Sequence, residues 1–371
     1  MVVDDSALMR KLLTQVLTRD PGIEVVDTAM DGQFALDHLS RVRPDVVLMD
    51  VDMPRVDGLT ALDRIVAEYQ LPVVMCSSRT TAGASATLEA LKRGAVDFIE
   101  KPSLEALTSG EAAAEISARV RGAVGAKVRA NRRTSSTPVS APVSGRLDLK
   151  AEAAQRQAEL SAIPRTPIEQ IAQMARGMQL DLLAIGTSTG GPPALEQILT
   201  PLPTNYPLGI VIVQHMPAGF TGLLAEQLNR NAKIEVREAA NGDVIRPGLA
   251  LIAPGGFHLR VVGSRNNYSV KLDDKTPLTS GHRPSVDVLF DSVAEATRGR
   301  TAALIMTGMG SDGADGMGKL AAAGALTIAQ TPDSCICHGM PKSCIDRGYT
   351  RGVVALEDIA SALIACGSAV A

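Results

Sequence analysis

Short apolar runs separated by helix-length amphipathic stretches recur twice along the chain, which limits it to folds built on parallel sheets with helices on their faces. In the first third, after Val2-Val3, the runs are Ile23 to Val26, Val46 to Met49, Pro72 to Cys76 and Ala95 to Ile99. Helical patterns fall between them: Leu8, Leu12, Leu13, Val16 and Leu17 share one face, and others run around Gly32 to Val42, Leu59 to Ala67 and Ser85 to Arg93. From Asp181 the alternation resumes. Leu182 to Ile185, Gly209 to Gln214, Leu249 to Ala253, His258 to Val262, Tyr268 to Leu272, Ala302 to Met306 and Leu326 to Ala329 read as strands, the fourth and fifth as an inserted hairpin. Pro193 to Leu199, Pro284 to Thr297 and Gly313 to Ala323 read as helices. The expected fold class is α/β in both halves, two doubly wound, mostly parallel domains.

Between the halves, from Lys127 to about Pro167, Arg, Ser, Thr, Pro and Ala dominate, as in a linker. Helical patterns at Leu149 to Leu160 and Thr166 to Met178 lie within it or close it, so the expected organisation is 1–126, a linker over 127–178, and 179–371. With 371 residues, 45% of them hydrophobic and 21% charged, the chain has the balance of an ordinary globular protein. A net charge of -3 gives no general attraction for nucleic acid, and a solvated linker explains the small cluster Arg129, Arg132 and Arg133 better than a nucleic-acid site does. No apolar run is long enough to insert in a membrane, and Asp4 and Asp5 interrupt any signal-peptide core, so the cytoplasm is expected. Five cysteines suggest no disulfide framework, and Cys335, Cys337, His338 and Cys344 lack the paired spacing of a structural zinc site.

In parallel sheets, functional residues collect beyond the carboxyl ends of the strands. In the first domain those ends carry Asp4, Asp5, Asp50, Ser77 and Lys101. Crowded carboxylates repel unless a cation neutralises them, and Mg²⁺ takes such oxygen ligands. Asp50 then suits a phosphoryl acceptor, with the metal, Lys101 and Ser77 engaging the phosphoryl oxygens.

In the second domain, Gly186-Thr-Ser-Thr-Gly190 is a G-x-S-x-G turn between a strand and a helix, with Ser188 at its tip. His215 and Asp312 also follow strand ends, so a hydroxyl, an imidazole and a carboxylate share one rim and form a triad by role; N–H groups of the turn around Met309 suit an oxyanion. Residue types leave a rival open, because Ser188, Asp312 and His338 satisfy the chain order of an α/β-hydrolase. A different class of function, a non-enzymatic regulator binding a nucleotide or a partner protein through Gly186 to Gly191, is disfavoured because Gln214-His215 stands where a ribose-binding acid belongs.

Val2-Val-Asp-Asp-Ser-Ala-Leu-Met-Arg10, Pro44 to Gly58, Pro72 to Ser78 and Asp97-Phe-Ile-Glu-Lys-Pro102 resemble a response-regulator receiver domain. The resemblance implies the flavodoxin-like strand order 2-1-3-4-5 and phosphorylation of Asp50 by a histidine kinase of the chemotaxis type. It also implies Mg²⁺ held by Asp5, Asp50 and the Asp52 carbonyl, with Asp4 assisting, and Phe98 as the aromatic switch. Ala184 to Gly191, Gln214 to Thr221, Ala253 to Gly256, Gly281 to Phe290 and Thr307 to Met317 resemble the catalytic domain of the chemotaxis methylesterases, the CheB family. That resemblance selects Ser188, His215 and Asp312, with Thr189 and Met309 lining the site. It implies hydrolysis of glutamyl methyl esters on methyl-accepting chemotaxis receptors and deamidation of receptor glutamines, with no cofactor in this domain. A receiver lying across the cleft would obstruct a receptor helix, so phosphorylation is expected to unblock it. Receivers usually have a longer first strand than Met1 to Val3, so the start codon is expected upstream and the receiver, as given, is expected to be marginal.

Overall fold

A computed structural model of the chain describes residues 1–78, 80–109, 113–126, 128 and 159–369, and divides it into two units, Met1–Ala153 and Ala154–Ala371. The basic cluster Arg129, Arg132 and Arg133 lies outside the described residues, as does all but the end of the pattern at Leu149 to Leu160.

In the first unit, β1 (Val2–Val3), β2 (Thr28–Ala29), β3 (Val47–Asp50), β4 (Val73–Ser77) and β5 (Asp97–Glu100) form a parallel sheet in the order β2-β1-β3-β4-β5. Helices α1 (Ala7–Leu17), α2 (Gly32–Val42), α3 (Gly58–Arg64), α4 (Thr81–Arg93), α5 (Leu104–Ser109) and α6 (Ala113–Ala123) complete the unit. Ser6, Asp31, Asp57 and Thr80 cap the first four helices, each side chain accepting an N–H from the first turn, which fixes where the chain leaves the strand ends.

The second strand departs from expectation: it pairs at Thr28–Ala29, not Ile23 to Val26. The reason is register. Val2 N–H donates to the Asp27 carbonyl and Asp4 N–H to that of Ala29, while residues 23–26 alternate between half-buried and exposed and Val26 stays 45% exposed. Met1 also joins the ladder, its carbonyl accepting from Leu48 N–H at 3.0 Å, and Met1, Val2 and Val3 are buried.

The second unit holds β6 (Leu182–Thr187), β7 (Gly209–Gln214), β8 (Glu235–Glu238), β9 (Leu249–Ile252), β12 (Thr301–Ile305), β13 (Leu326–Gln330) and β14 (Gly352–Val354) in one parallel sheet, ordered β14-β13-β12-β6-β7-β9-β8. The central runs β6, β7 and β12 are buried along their whole length, as strands covered on both faces must be. Antiparallel β10 (His258–Ser264) and β11 (Asn267–Asp273) form the inserted hairpin. From β6 the chain builds outward through β7, then returns to add β12, β13 and β14 on the other side. The strand order therefore reverses at β6, the position at which open parallel sheets form ligand crevices.

Helix α7 (Ile168–Arg176) falls within the expected helix at Thr166 to Met178, at the end of the segment 127–178 assigned to the linker, and it packs on the last helix, α13 (Leu356–Ser368). Just before it, Thr166 N–H donates to the Val353 carbonyl at 2.8 Å and Val353 N–H to Thr166 Oγ1 at 3.0 Å. Ile171 is fully buried. Ile171→Ala is expected to destabilise the unit by about 2 to 5 kcal/mol, read as a lowered urea midpoint; an unchanged midpoint would show that α7 contributes nothing to this fold.

Candidate active site and acidic receiver pocket

Ser188, His215 and Asp312 leave three adjacent strands. Ser188 directly follows β6, and its N–H donates to the Thr307 carbonyl at 2.9 Å. Helix α8 (Gly191–Leu199) begins three residues later behind Gly190, which holds the left-handed φ of 76° that ends the turn. His215 directly follows β7, ahead of helix α9 (Phe220–Asn231), and its N–H donates to the Thr187 carbonyl at 3.1 Å. Asp312 lies seven residues beyond β12, immediately before Gly313 and helix α11 (Ala314–Ala322). All three side chains are buried or nearly so, and His215 Nε2 lies 2.7 Å from Asp312 Oδ2.

Asp312 sits against the N-terminus of helix α10 (Val286–Thr297). Its Oδ2 accepts Val286 N–H at 2.7 Å; its Oδ1 accepts the Ser285 hydroxyl at 2.8 Å and Asp287 N–H at 3.2 Å. The helix end favours an anion there. Burial opposes ionisation, but the His215 hydrogen bond and charge, with the donors from Val286 and Ser285, outweigh it and hold the carboxyl well below the usual carboxylate range. Since the folded value is depressed, the stabilisation is complete above the ordinary carboxyl pKa of about 4 and is lost only as pH falls through the lower, folded value. An ionised Asp312 only accepts, so the ring carries its proton on Nε2, and the buried Nδ1, which has no hydrogen-bond partner, is left to accept one.

Further residues complete this cluster. His282 stacks on His215 with ring centroids 3.8 Å apart, presented by a tight turn in which Ser280 and Gly281 both have positive φ. Fully buried His258 accepts Ser285 N–H on Nδ1 at 3.2 Å and donates from Nε2 to the Pro277 carbonyl at 3.0 Å, which fixes the capping serine. A serine just ahead of the apolar helical run is a cap signal in the sequence, and His282 lies in the Gly281 to Phe290 motif, whereas nothing local marks His258. Thr189 is buried and its carbonyl accepts the Thr307 hydroxyl, while half-buried Met309 stands between Gly308 and Gly310. His338 occupies the N-cap position of helix α12 (Gly339–Asp346); the imidazole bonded to Asp312 is His215.

Burial, reinforced by the Asp312 carboxylate, pushes the Asp287 carboxyl up to about 6 against the Gly316 N–H that it accepts. A raised carboxyl lowers stability as pH climbs from its unfolded value, about 4, to its folded one. Asp287→Asn keeps the acceptor and is expected to raise the melting temperature at pH values above that window, with the gain fading toward its acid end. A gain that persists below it would contradict this reading.

At the carboxyl ends of the first unit's strands, one ligand oxygen each from Asp4, Asp5 and Asp50 lies within 4.8 Å of the others. Lys101 Nζ lies 2.8 Å from both Asp4 Oδ2 and Asp50 Oδ2. Burial works against the Lys101 charge, but hydrogen bonds and charge from Asp4 and Asp50 outweigh it and push its pKa up. Burial pushes the Asp50 carboxyl up despite Lys101. Three grouped carboxylates, two of them on one ammonium and one, Asp50, ionised at a cost, are a donor set that suits a hard divalent cation. Gly58 is required beside it, since a Cβ there would lie 2.2 Å from the Asp50 carbonyl oxygen. Ser77 ends β4 at this rim with its hydroxyl donated to the Gly83 carbonyl at 2.9 Å, and Asp52 is exposed just beyond β3. Phe98 is buried in β5, with the Arg119 guanidinium 5.9 Å from its ring centre and bonded to Asp97.

Fold and sites together define a receiver domain followed by a parallel α/β domain with a serine, a histidine and an aspartate at its switch point. The response regulator receiver model matches residues 1–109 and the CheB methylesterase model residues 183–363. A protein-glutamate methylesterase/protein-glutamine glutaminase from Pseudomonas syringae pv. tomato is 44% identical over 98% of this chain and 97% of its own length. One from Koribacter versatilis is also 44% identical, over 98% and 94%. The crystal structure of the Thermotoga maritima CheB methylesterase catalytic domain is 41% identical, covering 50% of this chain and 97% of that one, with a TM-score of 0.48. The chain belongs to the CheB methylesterase family.

Proposed function

We propose that this protein hydrolyses glutamyl methyl esters on methyl-accepting chemotaxis receptors and deamidates receptor glutamines, under control of phosphorylation at Asp50. The observation that carries the reading is the buried His215–Asp312 pair beside Ser188 at the reversal of the sheet. Asp312 holds the Nε2 proton of His215, so Nδ1 takes the Ser188 proton as Oγ attacks the substrate carbonyl. N–H groups at Thr189 and in the Met309 turn receive the oxyanion. His215 then gives the proton from Nδ1 to the departing methoxide or amide nitrogen, which leaves as methanol or ammonia, and the acyl group stays on Ser188; water, deprotonated by His215, then attacks the acyl carbon, and His215 returns that proton to Ser188 Oγ as the glutamate leaves.

In the receiver, Asp50 accepts the phosphoryl group from a chemotaxis histidine kinase, Lys101 and Ser77 engage its oxygens, and Phe98 reports the change. Mg²⁺ would be held by Asp5, Asp50 and the Asp52 carbonyl, with Asp4 beside them, and would neutralise the charge of the incoming phosphoryl oxygens. The working parts are a receiver over 1–126, an esterase over 179–371 and, between them, the segment 127–178, whose helix α7 packs within the esterase unit, all acting in the cytoplasm. No helix among the described residues is long and apolar enough to cross a membrane. Methanol release from membranes carrying methylated receptors, with and without acetyl phosphate and Mg²⁺, tests this: release that rises with the phosphodonor is expected, and none under either condition would overturn the reading.

A further inference from the structure

We infer that Gln214 is a positioning residue that locks Ser188 and His215 to one another through its side-chain amide; this rests on the roles proposed for those two residues. The ladder between β6 and β7 ends at the rung Thr187↔Gln214, followed by a single bond from His215 N–H to the Thr187 carbonyl. Beyond it the two backbones carrying the hydroxyl and the imidazole have no ladder between them. Gln214 Nε2 supplies the missing connection, donating to the Ser188 carbonyl at 2.9 Å and to the His215 carbonyl at 3.1 Å. An amide nitrogen has two hydrogens, so it satisfies both acceptors, and the reversed orientation would set an oxygen against two oxygens.

The other end of the amide shows how tightly the group is held. Gln214 is 2% exposed, and its Oε1 is buried without a hydrogen-bond partner, which disfavours burying this side chain unless its nitrogen contacts compensate. Oε1 fills the space beside Gly191, where a Cβ would lie 1.9 Å from it and 2.6 Å from Thr187 Oγ1. Glycine at the first position of α8 therefore admits the amide, and the amide sets the two reacting side chains. A displacement of about 1 Å between such groups costs about 10²-fold in rate.

The test is the rate at which a fluorophosphonate labels Ser188 in the full-length protein, for wild type, Gln214→Met and Gln214→Glu, from about pH 5 to about pH 9, where a buried carboxyl titrates. Gln214→Met, similar in size without a donor, is expected to label about 10²-fold more slowly at every pH. In Gln214→Glu the anion would face two carbonyl oxygens, so the protonated acid, which donates one hydrogen bond, is favoured. Its rate relative to wild type is expected to be highest at the acid end and to fall as pH rises. A methionine variant at the wild-type rate, or a glutamate ratio that does not change with pH, would overturn the inference. Wild-type protein that fails to label at Ser188 would instead remove the roles on which it rests. Should both variants fail to fold, hydrogen exchange of the Gln214 side-chain amide in the wild-type protein decides: slow exchange of both protons supports the inference, and fast exchange refutes it.

Discussion

Ser188→Ala and His215→Ala should each lower methanol release by up to about 10⁶-fold, while His338→Ala should change it little. The two large effects have one origin: attack requires the hydroxyl and the base that takes its proton, and neither works alone. Asp312→Asn should cost about 10⁴-fold although it alters few atoms. At present Asp312 accepts from His215, Ser285, Val286 N–H and Asp287 N–H. An asparagine nitrogen can accept from none of them. It either confronts those donors or turns the imidazole to the wrong tautomer. Loss of turnover in His338→Ala together with its survival in His215→Ala would show that the α/β-hydrolase order was correct after all.

The second large effect is all-or-none. Asp50→Asn should incorporate no phosphoryl group from acetyl phosphate and should stay at the unstimulated rate of methanol release, because a carboxamide cannot form the acyl phosphate. The asparagine should keep the receiver folded, since it retains an oxygen for the Val51 N–H that Asp50 now accepts at 2.9 Å. Stimulation that survives the substitution would mean that another group accepts the phosphoryl. If regulation works by releasing inhibition, residues 159–371 alone should outpace the unphosphorylated whole chain. The fragment has to begin before Thr166, because Thr166 and Ile171 are bonded and buried within the second unit.

The parallel folds were legible because a strand buried on both faces must be a short apolar run, and β3, β4, β6, β7 and β12 are such runs. The sites were legible for the related reason that parallel strands deliver their carboxyl ends to one rim. Of the four strands at the edges of the parallel sheets, only β5 overlaps the apolar run read for it. Glu235–Glu238 is largely polar and has a single neighbour, Gly352–Val354 has only three residues, and β2 was placed too early because the apolar residues 23–26 lie outside the ladder. Ser285, His258, His282 and Gln214 act through contacts that join segments far apart in sequence, such as Gln214 to Ser188 and Ser285 to Asp312. No local period encodes such contacts, although the serine cap of α10 was within reach.

The claim that Ser188 is the nucleophile of a methylesterase is tested most directly by titrating the full-length protein with a fluorophosphonate while following methanol release and mapping the adduct by peptide mass spectrometry. The account predicts one adduct per chain, on Ser188, with activity falling in proportion to its formation and no adduct in His215→Ala over the same interval. Activity that survives complete modification of Ser188, or is lost with the adduct on another residue, would contradict it.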